Sequence, residues 1–242
     1  MRRFTVQASS DLSLERLGDY VDGVHAALAE RAPLAGLAPP WEALLQRCDA
    51  AEARQKKARR ALNRARVGYW IRDADFDQAV RNLSSETYHL AGKDDAAEPY
   101  VSIFGAVRAE DIIEYGEEKA TSFGRNTGKK AEAILAVTEP EAARTAVKGM
   151  LDDLGRETAA LAAAGDQRED AGTAVTALDI ERRQLIRDTL TLIADTEVGI
   201  LSIYKGRRDL VDRVLALDFN AERRKKKGGN DSGGGDAGGG TT

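Results

Sequence analysis

Leu44, Cys48, Ala51, Gln55, Ala58, Leu62, Ala65 and Tyr69 follow one another at alternating steps of four and three. A chain with that rhythm forms a long helix that keeps one edge turned toward a single partner. Leu178, Leu185 and Leu192 repeat the spacing downstream, and Ile203, Leu210 and Leu217 take it up again. Two extended helices lying side by side would bury both edges.

The apolar residues suit such a core. They make up 42% of the chain while aromatics make up only 5%, so Ala, Leu, Val and Ile must do the packing, and small side chains let helices approach closely. The pattern predicts an all-α fold: an elongated antiparallel bundle of four to five helices with coiled-coil-like packing. Length alone is compatible with one or two domains. The reading divides the chain into an N-terminal extension (1–10), a helical bundle domain (11–227) and a disordered Gly-rich tail (228–242), which offers nothing apolar to bury.

Within the bundle, a first helix is expected over residues 12–31, with Leu14, Leu17, Val21, Val24 and Leu28 on one face and Asp11 or Ser13 as cap. Pro33, Gly36, Pro39 and Pro40 force a turn, and Pro40 suits a helix start. A second helix follows over 41–90, with Gly68 and residues 73–77 as places for a bend. The loop 91–105 carries Tyr100, Val101, Ile103 and Phe104 and should fold back over an end of the bundle. A third helical region begins near Ala106 and is weakened at Gly124 and Gly128. Thr138, Glu139, Pro140 and Glu141 read as a capping box that restarts a helix, which Ala163, Ala164 and Gly165 should end. Asp166, Gln167, Arg168 and Glu169 supply a second cap, and a final helix is expected to reach Leu217 or Arg224. The eleven-residue step from Leu192 to Ile203 is a stutter that locally unwinds the supercoil.

Charge and cysteine content narrow the setting. Charged residues are 31% of the chain and the net charge is −4, so the whole molecule does not announce a polyanionic partner. A single cysteine, Cys48, cannot form an intramolecular disulfide and sits on the apolar stripe, which suits a reducing compartment. Met1, Arg2 and Arg3 open the chain like a signal peptide, but residues 4–10 supply no apolar run. No stretch approaches the roughly 20 apolar residues of a transmembrane segment. A cytoplasmic protein is expected.

Little in the sequence invites catalysis. Glu86 and His89 share the Glu-x-x-His spacing of di-metal bundles, and Asp22 and His25 imitate it, but such spacings arise readily by chance among 40 acidic residues. No metal site or cofactor is expected. Gly124 to Lys130 has the outline of a phosphate-binding loop without its longer glycine spacing, its Lys-Ser/Thr ending or a preceding strand. Cys48 lacks a histidine nearby in sequence, and no Gly-x-Ser-x-Gly elbow occurs. No catalytic residue is expected.

Two basic clusters stand out. Arg47, Arg54, Lys56, Lys57, Arg59, Arg60, Arg64, Arg66 and Arg72 are opposed locally only by Glu42, Asp49 and Glu52, and Arg223, Arg224, Lys225, Lys226 and Lys227 precede the tail. Arg54, Lys56, Lys57, Arg59, Arg60 and Arg64, with the C-terminal five, are candidate polyanion-binding residues. The structural alternative is an exposed face pairing with acidic neighbours, and for the C-terminal run a cationic cap on a helix dipole. Tyr69, Trp70, Ile71 and Phe76 are expected to pack in the core.

The function expected from these residues is a non-catalytic helical scaffold or adaptor that self-associates or binds protein through a seam the short first helix leaves partly uncovered. The alternative is a protein that binds nucleic acid or an anionic membrane surface.

Overall fold

The computed structural model describes residues 12–215. The extension 1–10, the tail 228–242 and the cluster Arg223, Arg224, Lys225, Lys226 and Lys227 lie outside the described residues. The elements are α1 (Leu14–Ala29), a 3-10 turn (Ala32–Leu37), α2 (Pro39–Leu90), α3 (Tyr100–Phe104), α4 (Ala109–Ile113), α5 (Glu117–Lys129), α6 (Ala131–Ala136), α7 (Glu141–Ile203) and α8 (Arg208–Leu215). The fold is all-α, with no strand among the described residues, and α2 and α7 pack together. Contacts divide the chain into two compact units, Met1–Gln55 with Leu178–Thr242, and Lys56–Ala177. Both long helices supply residues to each unit, and each unit has its own core.

In the first unit, Ser13 caps α1 by accepting a hydrogen bond from the Arg16 amide at 3.3 Å. Leu14, Leu17, Tyr20, Val21, Val24 and Leu28 are buried; each aliphatic contributes about 1.5–3 kcal/mol of burial before ordering costs. Leu34 anchors the proline turn in the same core. Pro39 and Pro40 open α2, where an amide proton would find no partner anyway. Trp41, fully buried, donates its indole N–H to Thr196 Oγ1 at 2.8 Å and meets the Tyr20 ring edge-on. Tyr20 in turn donates to the Leu215 carbonyl at 3.0 Å, tying α8 to α1. The pairs Trp41–Thr196, Arg47–Asp188 and Arg54–Glu181 advance along α2 while retreating along α7, so here the two run antiparallel.

In the second unit, Tyr69, Phe76, Val80 and Leu83 of α2 share a core with Val147, Leu151, Leu154 and Leu161 of α7. The loop after α2 folds into this core, burying Tyr100, Ile103 and Phe104 of α3, with Tyr100, Phe104 and Phe123 stacked in series. Gly124 lets α5 approach α7 so closely that a Cβ there would collide with Thr158.

Leaving the aromatics and Cys48 aside, the buried polar side chains among the described residues are all threonines: Thr87, Thr121, Thr127, Thr138, Thr158, Thr189 and Thr196. Thr87, Thr121, Thr138, Thr158 and Thr189 donate to the carbonyl four residues back at 2.6–2.9 Å. A threonine satisfied by the carbonyl one turn back can face an apolar neighbour without an unpaired hydroxyl.

Several expectations about helix limits are corrected. α7 is one helix of 63 residues that runs through Ala163, Ala164 and Gly165. Gly165 is buried in the helix because a side chain there would strike the Glu117 carboxylate, so its smallness serves a close approach rather than a stop. Arg168, expected in a cap, instead pairs with Glu117 at 2.8 Å. The helix does not reach Leu217: it ends where Lys205 and Gly206 take positive φ and the Gly206 amide donates to the Leu201 carbonyl at 2.9 Å, after which α8 starts. Leu217 and Arg224 lie outside the described residues. α7 does start at Glu141, but the Thr138 hydroxyl donates back to Ile134 and forms no capping box. α5 runs through Gly124 and ends at Lys129, directly after Gly128, and α2 is one continuous helix across Gly68 and residues 73–77. On the last part of α7 the buried positions are Leu185, Ile186, Thr189, Thr196 and Ile200, with Leu192 packed half-buried against the same core, while Ile203 is 43% exposed; threonines share the edge with leucine and isoleucine.

The glycines separate by role. A Cβ at Gly149 or Gly155 of α7 meets nothing within 4 Å, so Gly149→Ala or Gly155→Ala should each raise stability by about 0.5–1 kcal/mol through helix propensity. Gly124→Ala should lower it by about 1–3 kcal/mol through overpacking against Thr158, as urea melts of the three variants will measure.

Candidate functional site

The segment 53–72 of α2 carries Arg54, Lys56, Lys57, Arg59, Arg60, Arg64, Arg66 and Arg72 and no acid. At 3.6 residues per turn, Arg47, Arg54 and Arg72 fall on one side of the helix, seven and eighteen residues apart, beside the buried stripe. They find acids. Arg47 reaches Asp188 and Arg54 reaches Glu181, both at 2.6 Å, and Arg72 reaches Asp75 at 3.1 Å with Glu157 at 3.9 Å. The expectation of an internally paired face therefore holds for these three.

It does not extend to the middle of the stripe. Lys57, Arg60 and Arg64 point away from the buried edge, and Arg59 and Arg66 lie on the flank beside them. All five are exposed, and among the described residues none has an ion-pair partner. Lys56 lies on the same exposed arc. The cause is geometric, since an acid on α7 reaches only residues that border the shared edge.

The aromatic cluster splits the same way. Tyr69 is buried beneath the Arg168 guanidinium, 4.1 Å from the ring centre, and Phe76 is fully buried. Trp70 and Ile71 are not core residues: they are 65% and 55% exposed, and Val67 is 51% exposed. Successive helical residues turn by about 100°, so placing Tyr69 and Phe76 on the edge turns Trp70 and Ile71 outward. Val67 was not singled out from the sequence, although Arg60, Arg64, Val67 and Ile71 step by four, three and four and so share one face.

Electrostatics around Tyr69 are set by burial. It raises the phenol above its ordinary value, reinforced by Asp73 and Glu117 and opposed by Arg168. Burial also raises the Asp73 carboxyl against the pull of Arg168. Asp77 is raised by burial, then by the Asp73 charge one turn away, with Arg81 opposing. The Cys48 thiol is pushed up to about 11 by burial and by Asp49, with Arg47 opposing, so at neutral pH it is a thiol rather than a nucleophilic thiolate.

The remaining motifs stay apart. Glu86 is half-buried and His89 exposed on α2, His25 is half-buried on α1, and among the described residues no group of three His, Cys, Asp or Glu side chains is placed to hold a metal. Gly124 to Lys129 lies in helix α5, and its glycine faces Thr158 rather than an open loop. In the first unit, Glu15, Asp19, Asp22, Asp49 and Glu52 line an acidic cleft of about 260 Å³. Among the described residues no helix is long and apolar enough to cross a membrane. The chain matches no family model, no curated protein and no solved structure.

The raised Asp77 carboxyl has a pH signature. Its native pKa lies above the unfolded value, so the stability cost appears as pH rises from the ordinary aspartate range through the raised pKa, and persists above it. Asp77→Asn should raise stability at about pH 7 by about 0.2–0.5 kcal/mol, the size of a like-charge pair one turn apart. The gain should fade by about pH 3, where the carboxyl is protonated in both states; urea melts at the two pH values will check it.

Proposed function

We propose that this chain is a non-catalytic helical scaffold or adaptor that acts by presenting the outer face of α2 to another macromolecule. The observation that carries this reading is the row of exposed cations without ion-pair partners among the described residues, Lys57, Arg59, Arg60, Arg64 and Arg66, running into the exposed Val67, Trp70 and Ile71.

Cations three and four residues apart on a helix repel by about 0.2–0.5 kcal/mol per pair, and Lys57, Arg60 and Arg64 meet that repulsion without a compensating acid among the described residues. An indole two-thirds exposed beside an isoleucine and a valine leaves apolar surface in water that a partner would cover. Charge and apolar surface therefore coincide on one side of one helix. The same cations favour the alternative in which the partner is a polyanion, and the acidic net charge of the whole chain does not oppose this because the cluster is local.

A photo-crosslinking residue tests the reading. Placed at Asn63 on the outer face of α2, it should yield adducts in cells, whereas at the exposed Thr173 of α7 it should yield few. A strictly monomeric chain by light scattering, with no adduct from position 63 to any macromolecule, would contradict it.

A further inference from the structure

We infer that the face of α2 between residues 56 and 71 docks on an anionic membrane surface, with its cations among lipid phosphates and carboxylates and Val67, Trp70 and Ile71 at the level of the upper acyl chains. This rests on the reading of that face as a macromolecular contact surface and names its partner.

The arrangement of the side chains selects among partners. Lys57, Arg60 and Arg64 lie on the outer side of α2, and the steps of four, three and four from Arg60 to Arg64, Val67 and Ile71 carry the same line from charge to hydrocarbon. At 1.5 Å per residue the line from Lys57 to Ile71 is about 21 Å long. A nucleic-acid duplex would satisfy the cations through its phosphates but offers apolar surface only in its grooves and between its bases, out of reach of a valine and an isoleucine on the same line as the phosphate-bound cations. A second copy applied through the same face would set cations against cations. A protein partner would need a groove of its own, because side chains 51–65% exposed stand out from α2 rather than line a cleft.

A lipid interface supplies both requirements in one plane. Anionic headgroups attract Lys and Arg over about a Debye length, and indoles settle where headgroups meet acyl chains while smaller apolar groups enter beside them. Arg guanidinium groups, at positions 59, 60, 64 and 66, pair phosphate oxygens two at a time. Attachment of this kind needs no transmembrane helix.

The test uses the full chain with phosphatidylcholine vesicles prepared with and without phosphatidylserine. Binding is expected to the phosphatidylserine vesicles only, to weaken as salt rises, and to shift Trp70 emission to the blue while Trp41, already buried, stays constant. R60E/R64E should lower vesicle affinity about tenfold or more with an unchanged helical circular dichroism signal, because both positions are exposed and without ion-pair partners among the described residues. R60Q/R64Q, which removes charge without reversing it, should lie between, and W70A should remove the blue shift and part of the affinity. The basic residues 223–227 are present throughout, so binding that persists undiminished in R60E/R64E would overturn the inference. So would absence of binding to phosphatidylserine vesicles at low salt, or tighter binding to duplex DNA or single-stranded RNA under the same conditions. If vesicles fail while position 63 still crosslinks to a protein, the membrane assignment falls and the contact-surface reading stands; if both fail, both fall.

Discussion

The structure depends on keeping one edge of α2 away from water. In the first unit the edge is Leu44, Cys48 and Ala51, and in the second it is Tyr69, Phe76, Val80, Leu83 and Thr87, all buried, with half-buried Gln55, Ala58, Leu62 and Ala65 between. Everything else on the helix is placed by that choice. Arginines bordering the edge at 47, 54 and 72 reach acids on α7 or on their own helix, while Lys57, Arg60 and Arg64 on the far side reach none among the described residues. A helix has only one surface, so the rule that buries Tyr69 also exposes Trp70.

Close approach along α7 is obtained with small and self-satisfied side chains rather than large ones. Thr158 and Thr189 donate to carbonyls of α7 itself and need nothing from a partner, while Gly165 clears space for Glu117 and Gly199 for Leu37. Arg168 then serves twice, pairing Glu117 and covering the Tyr69 ring. An arginine that stacks on an aromatic while bound to a carboxylate is held by both, and Lys would reproduce neither geometry.

Much of this was legible from the residues alone. The face of α1, the proline turn, the span of α2 and the loop returning through Tyr100 and Phe104 all follow from local spacing and turn chemistry, while α7 starts at Glu141 without the capping box expected there. The errors share a cause. Gly165 looks like a helix stop until Glu117, 48 residues earlier in the chain, is found against it, and Gly124 looks like a weak point until Thr158 is. Neither neighbour is visible in a local window. Whether Arg54 or Arg60 would find an acid depends on side of helix and on the facing residue of α7, which sequence spacing supplies only in part. The outward turn of Trp70 and Ile71, by contrast, was implicit in the placing of Tyr69 on the edge and needed only the 100° step to be carried through.

The two tryptophans report on the buried edge and the open face separately. Trp41 is fully buried and hydrogen-bonded to Thr196, and Trp70 is 65% exposed. Acrylamide quenching of the native protein should therefore resolve one accessible and one protected indole, and Trp70→Phe should abolish the accessible component while leaving the protected one intact. Two equally quenched indoles, or two equally protected ones, would contradict the division of α2 into an edge and a face.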